Sequence, residues 1–117
     1  MTQINRGDIW LAALDRTIGR EQAGTRPVLI LSSDYFNQGF ADLVYAMPIT
    51  SKARVIRSHV SILPPEGGLT APSFIMCETR RSISKQRLVK RLGNVSLKTM
   101  LDVEDTLKIL LDLLPTH

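Results

Sequence analysis

Near position 96 the hydrophobic period of this chain changes, and the change narrows the folds open to it. From there Leu97, Met100, Leu101, Leu107, Leu110, Leu111 and Leu114 recur at helical spacing until Pro115, and Ser96 has the side chain of an N-cap. Upstream the apolar runs are short and bounded by Gly, Pro, Ser and Asn, which is how strands are punctuated. Short strands followed by one amphipathic helix predict an α+β domain built on a small, strongly curved sheet or half-open barrel. With 117 residues and no repeat, linker or low-complexity tract, the chain reads as one domain over 1–117.

The strands can be placed. Asp8 to Leu14 is rich in strand formers and follows the turn pair Arg6-Gly7. A polar loop from Asp15 to Thr25 carries two glycines and is long for a hairpin, as functional loops often are. Pro27 to Leu31 begins at a proline, as a buried strand tolerates only at its start. Ser32 or Ser33 is placed to cap a helical turn through Tyr35-Phe36-Asn37 that Gly39 closes. Leu43 to Ile49 reads as a strand ending near Pro48, and Phe74 to Ile83 and Arg87 to Leu92 as two more, the second stopped by Gly93. Arg54 to Ile62 nearly alternates, with Ile56, Val60 and Ile62 on one face and Arg57, His59 and Ser61 on the other. Pro64-Pro65-Glu66-Gly67-Gly68 is a turn.

Composition removes several classes of function. A hydrophobic share of 44% and a charged share of 22% describe a folded chain rather than a disordered one. The single cysteine, Cys77, leaves no disulfide framework and suits a reducing compartment. The first residues carry no apolar export segment, and no run approaches a membrane span, so a soluble cytoplasmic protein is expected. Fifteen Lys and Arg against eleven Asp and Glu give a net charge of +4. Nine of those cations lie between Lys52 and Arg91, opposed there only by Glu66 and Glu78. A basic middle suits a polyanion such as nucleic acid, and equally a solvated basic face.

Few residues are available for chemistry. His59 and His117 are far apart, and Cys77 has no partner cysteine, so no metal or other cofactor is expected. No phosphate-binding glycine motif is present. Cys77 in Phe74-Ile75-Met76-Cys77 reads as a buried inert thiol, and His59, on the polar face of a strand, as a solvated surface residue. Polar groups do mark strand ends: Arg26 before Pro27, Thr50 and Ser51 after Pro48-Ile49, Glu78 and Arg81 after the Phe74 run. Taken alone, each has a structural reading, such as Glu78 serving as the counter-charge of Arg26.

Arg6-Gly7-Asp8-Ile9-Trp10, followed by Glu21-Gln22-Ala23-Gly24-Thr25-Arg26-Pro27-Val28-Leu29-Ile30, resembles the signature of the MazF/PemK (Kid) toxins. Tyr35-Phe36-Asn37, Pro48-Ile49-Thr50-Ser51, Glu78 through Arg81-Ser82-Ile83 and the C-terminal helix fall in register with the same family. The resemblance implies an SH3-like small β-barrel with a C-terminal helix, a homodimer, and a metal-free endoribonuclease of a type II toxin–antitoxin system. Such enzymes cut single-stranded RNA, here mRNA, at short sequences and leave 2′,3′-cyclic phosphate and 5′-hydroxyl ends. It further implies Arg26, Thr50 and Glu78 as catalytic residues, and Arg20, Gln22, Ser51, Lys52, Arg54 and Arg81 as RNA-binding ones. The Kid branch uses an aspartate, an arginine two residues before it and a loop histidine; Glu78, Met76 and Arg20 stand at those positions. Met76 donates no proton, so that scheme cannot run unchanged.

A cognate antitoxin with an acidic, partly disordered segment is the implied protein partner. Two other functions share the fold. The gyrase poison CcdB depends on C-terminal residues including a tryptophan, whereas the only tryptophan here is Trp10. A degenerate, non-catalytic RNA-binding module is the other, and the retention of both Arg26 and Thr50 argues against it.

Overall fold

The computed structural model describes residues 3–14, 24–52 and 56–113. In chain order the strands are β1 (Asp8–Leu14), β2 (Gly24–Ile30), β3 (Leu43–Thr50), β4 (His59–Ile62), β5 (Ser73–Met76), β6 (Arg81–Ser84) and β7 (Leu88–Asn94). A single helical turn, α1 (Asp34–Asn37), joins β2 to β3, and α2 (Leu97–Leu110) follows β7. As the sequence predicted, Ser33 caps α1, accepting from the Phe36 N–H, and Ser96 caps α2, accepting from the Thr99 N–H.

All pairings are antiparallel, in the order β4-β5-β3-β2-β1-β7, with β6 also on β3. The sheet curls but does not close by hydrogen bonds. Its two ends instead meet through a 3-10 turn, Glu66–Gly68, packed on β7. The approach is so close that a Cβ on Gly93 would lie 2.7 Å from the Gly67 carbonyl carbon. This is an α+β domain with an open, barrel-like sheet.

Strand alternation sorts the core into two faces. On one, Ile9, Leu29, Met47, Ile49, Val60, Ile62 and Ile75 are buried under Met100 and Val103 of α2. On the other, Trp10, Ala12, Leu14, Val28, Ile30, Val44, Ala46 and Ile83 form a smaller core. The α2 seam differs from the one predicted: Thr99, Met100 and Val103 are buried, whereas Leu97, Leu101, Leu110 and Leu111 are exposed. Helical spacing fixes which residues share a stripe, but the sheet touches only part of a stripe this wide.

Several strand boundaries depart from expectation. Arg26 is inside β2, which begins at Gly24, rather than at a loop exit. β3 runs through Pro48 to Thr50, and β7 through Gly93 to Asn94. The alternation from Arg54 yields only His59–Ile62, because Arg57 and Ser58 form a turn and Ile56 is exposed. The stretch from Phe74 to Ile83 is two strands on the same partner. Ile75 pairs with Ile49 and Arg81 with Ala46, so the five residues Met76–Arg80 stand against Met47 and Pro48. The excess residues loop outward beside a proline that has no N–H for a ladder.

Candidate functional site

The second face, apolar at the β1–β6 end, turns polar at the other. Val28, Leu29 and Ile30 of β2 stand opposite Pro48, Met47 and Ala46 of β3. The recorded β2–β3 pairs end at Val28 and Pro48, and Arg26 and Thr50 each lie two residues beyond, at the same end of the two strands. Arg26 is exposed and Thr50 half-buried, at the rim of the smaller core. The Thr50 hydroxyl oxygen accepts from the Lys52 N–H at 3.2 Å, which keeps its own proton free to be donated.

Thr50 pairs with Phe74 of β5, and Phe74 with Ser61 of β4, so Thr50, Phe74 and Ser61 make one row across the sheet, with Arg26 at the same end of β2. The next row on the same face is His59 and Met76. Arg81, half-buried, pairs with Ala46 and shares this face on the other side of the outward loop. Ser51 and Lys52, both exposed, follow Thr50 directly. Five strands thus bring together residues that lie up to 55 positions apart in the chain, from Arg26 to Arg81. Arg20, Gln22 and Arg54 lie outside the described residues.

Glu78 occupies the outward loop, held by a hydrogen bond from the Cys77 N–H to the Ser58 carbonyl at 3.1 Å. Its carboxylate turns back toward β4. The Ser58 hydroxyl donates to Oε1 at 2.6 Å, and His59 Nε2 meets Oε2 at 2.9 Å. Partial burial pushes the Glu78 carboxyl up, but the Ser58 hydroxyl, a backbone N–H and the His59 imidazole outweigh it and hold the group below the usual carboxylate range. It is therefore an anion at neutral pH, fit to accept hydrogen bonds and unfit to act as a proton donor. Its side-chain hydrogen-bond partners are Ser58 and His59.

His59 corrects the sequence reading. Its side chain is only 3% exposed, packed with its ring centroid 6.2 Å from that of Phe74, and engaged with Glu78. Alternation assigned it correctly to the polar face; what it could not show is that Phe74 and the Glu78 loop cover that face at this point. Cys77 matches expectation, fully buried, with burial and then the charge of Glu78 pushing its thiol up to about 11.

The basic segment does not fold into one patch. Arg81 shares a sheet face with Arg26 and Lys52 lies exposed just past Thr50, whereas Arg91 pairs with buried Asp8 at 3.2 Å and Arg87 donates to the Ala13 carbonyl at 3.2 Å. Hollows of about 400 and 640 Å³ lie against α1, lined by residues such as Phe36, Tyr45 and Phe40, away from Arg26 and Thr50. Cations and hydroxyls spread along several strands suit an extended polyanion such as a nucleic acid strand.

Residues 5–111 match the family described as PemK-like, MazF-like toxin of type II toxin-antitoxin system. The chain belongs to this family. An Endoribonuclease MazF of Staphylococcus epidermidis is 37% identical over 113 residues, covering 94% of this chain and 92% of that protein. Among solved structures, MazF (Form-I) from Deinococcus radiodurans superposes with a TM-score of 0.82 at 25% identity, covering 96% of this chain and 99% of that one. MazE-MazF (Form-II) from Deinococcus radiodurans gives 0.78 at 28% identity, covering 97% and 100%. The sheet and C-terminal helix are thus the toxin fold that the motifs implied.

Proposed function

We propose that this MazF/PemK toxin is an endoribonuclease that cuts single-stranded mRNA without a metal, using the RNA's own 2′-hydroxyl as nucleophile. The observation that supports the reading is that Arg26 and Thr50 lie at the same end of the neighbouring strands β2 and β3, on a face whose other end is apolar. In the reaction the 2′-oxygen attacks phosphorus and the 5′-oxygen departs in line. The proton lost by the first is balanced by the proton gained by the second, and the products are a 2′,3′-cyclic phosphate and a 5′-hydroxyl. No water is consumed.

Charge grows on the non-bridging oxygens as phosphorus becomes five-coordinate. A guanidinium donating two parallel N–H bonds and a hydroxyl donating a third oppose that charge, and fixed donors cost no reorganisation as it forms. Arg26 and Thr50 fill those roles. Glu78, an anion, would be repelled by phosphates, so it acts on groups that donate: the 2′-hydroxyl or the amino edge of a base. Arg81, Ser51 and Lys52 hold the strand on either side, with Arg20, Gln22 and Arg54 assigned the same role. A DNA strand lacks the nucleophile and is not cut.

The protein partners are an antitoxin and a second copy of the chain. Large apolar side chains left in solvent support this, among them Tyr35, Phe40 and Tyr45 around α1 and β3, and Leu97 and Ile109 on α2. No described helix is long and apolar enough to cross a membrane; cytoplasmic mRNA is the proposed target. The test is cleavage of a defined RNA in excess chelator, followed by end analysis. A single 2′-deoxy substitution at the cut site should abolish the cut. Cleavage of the deoxy substrate, or a requirement for added metal, would refute the chemistry. Binding without new 5′-hydroxyl ends would instead identify a non-catalytic module.

A further inference from the structure

We propose that His59 is a positioning residue of the RNA-cutting site, acting on the substrate through Glu78; the proposal rests on the reading of Glu78 as an RNA-contacting carboxylate. Three observations carry it. His59 is the more completely buried member of the pair, 3% exposed against 38% for Glu78, so the imidazole is the fixed element and the carboxylate the one presented to solvent. The imidazole sits in a regular strand, its backbone paired with Met76 and its ring beside Phe74, which in turn pairs with Thr50. Glu78, by contrast, sits in the outward loop between β5 and β6, where no ladder fixes its direction.

The bond pattern gives the device its direction. An ionised carboxylate only accepts, so the proton in the Nε2···Oε2 contact belongs to His59 and the imidazole donates. Ser58 donates to the other oxygen, so both oxygens of Glu78 are held by donors at the start of β4 while the carboxylate stays partly open to solvent. His59 Nδ1, buried and without a hydrogen-bond partner among the described residues, gives the ring no competing anchor. A carboxylate on a loop would otherwise sample several rotamers, and an acceptor misplaced by about 1 Å can lower a rate by roughly 10²-fold.

His59 is the titratable group in hydrogen-bond contact with Glu78, from β4. Among the described residues Cys77, the chain neighbour of Glu78, is a second ionisable group that feels its charge, and that thiol is neutral well below about pH 11. Loss of the imidazole donor should therefore return the Glu78 carboxyl upward toward its ordinary range, and carry the acidic limb of the cleavage profile with it.

The experiment compares His59→Phe, which keeps a ring beside Phe74 but has no donor, with His59→Gln, which restores an N–H, in the full chain. His59→Phe is expected to lower kcat by about 10- to 100-fold, with a smaller change in KM. It should also shift the acidic limb upward and raise the Glu78 carboxyl titration followed by carbon NMR. His59→Gln should recover most of the rate. In a Glu78→Gln background, His59→Phe should add little. A folded His59→Phe protein with the parental rate and an unmoved Glu78 titration would overturn the proposal, as would an equal loss in the Glu78→Gln background. The NMR titration needs no RNA. A moved titration together with unaltered cleavage by Glu78→Gln would therefore confirm the coupling and locate the failure in the role given to Glu78.

Discussion

Replacing Arg26 by lysine keeps a cation at the Thr50 end of β2 and removes only the planar fork of donors. Antiparallel neighbours stand ~4.5–5.5 Å apart at Cα, so an arginine and a threonine facing the same way can converge on one phosphate. A lysine there still reaches the phosphate, but as a point charge in place of two parallel bonds. One hydrogen bond to a charged group contributes about 1.5–3 kcal/mol. If the bond forms fully only in the transition state, Arg26→Lys should lower kcat by roughly 10- to 150-fold. Arg26→Ala loses both bonds and the charge, about 3–6 kcal/mol and therefore roughly 10²–10⁴-fold. Thr50→Val should match the single-bond loss. Both act on the same phosphate, so Arg26→Ala with Thr50→Val should fall short of the product of the separate effects. The assay is single-turnover release of 5′-hydroxyl ends from a short RNA of known cut site, with thermal unfolding alongside. Arg26 is exposed, so its loss should move folding stability by no more than about 0.5 kcal/mol. Arg26→Lys at the parental rate, or effects that multiply fully in the double variant, would refute the shared-phosphate geometry.

Three further outcomes follow from the fold and its charges. Gly68 has φ +74°, and a Cβ there would lie 2.7 Å from the Leu92 carbonyl carbon, so Gly68→Ala should destabilise by at least about 2–3 kcal/mol in denaturant titration. The Cys77 thiol is held up to about 11 in the folded chain, so its contribution is complete below the unfolded value near pH 8.5–9 and is lost as pH rises toward 11. Against Cys77→Ala, the parent should lose about 3 kcal/mol of additional stability across that window; parallel curves would contradict the burial argument. For RNA, contacts from Arg26, Lys52 and Arg81 predict a slope of log affinity on log salt of about −2, reduced by about 0.7 in Lys52→Ala.

Much of the site was legible because its signals are local. Pro27 and Pro48 bracket strand positions, Ser33 and Ser96 stand where caps belong, and the runs containing Arg26 and Thr50 carry family motifs. His59 was not legible. Its alternation signal was right, but burial there depends on a loop that folds back from Glu78, 19 residues later. The break at Met76–Arg80 was hidden for a similar reason, since the run looks continuous and only its excess length over Met47–Pro48 forces it outward. Charge was the least transferable signal. Linear clustering between Lys52 and Arg91 gave no face, because β6 and β7 lie on opposite sides of β1–β3.

By itself, then, the sequence determined the succession of short strands and one capped helix, the identity of the Arg26 and Thr50 motifs, and the family. Those are properties of neighbouring residues: period, cap chemistry, proline and glycine placement. Only the tertiary structure decided that Arg26 and Thr50 come to the same end of adjacent strands, that Glu78 is an anion held by Ser58 and His59, and which helix leucines stay in solvent. Register, curvature and burial arise from pairings between segments tens of residues apart, and those pairings set the distances on which the chemistry depends.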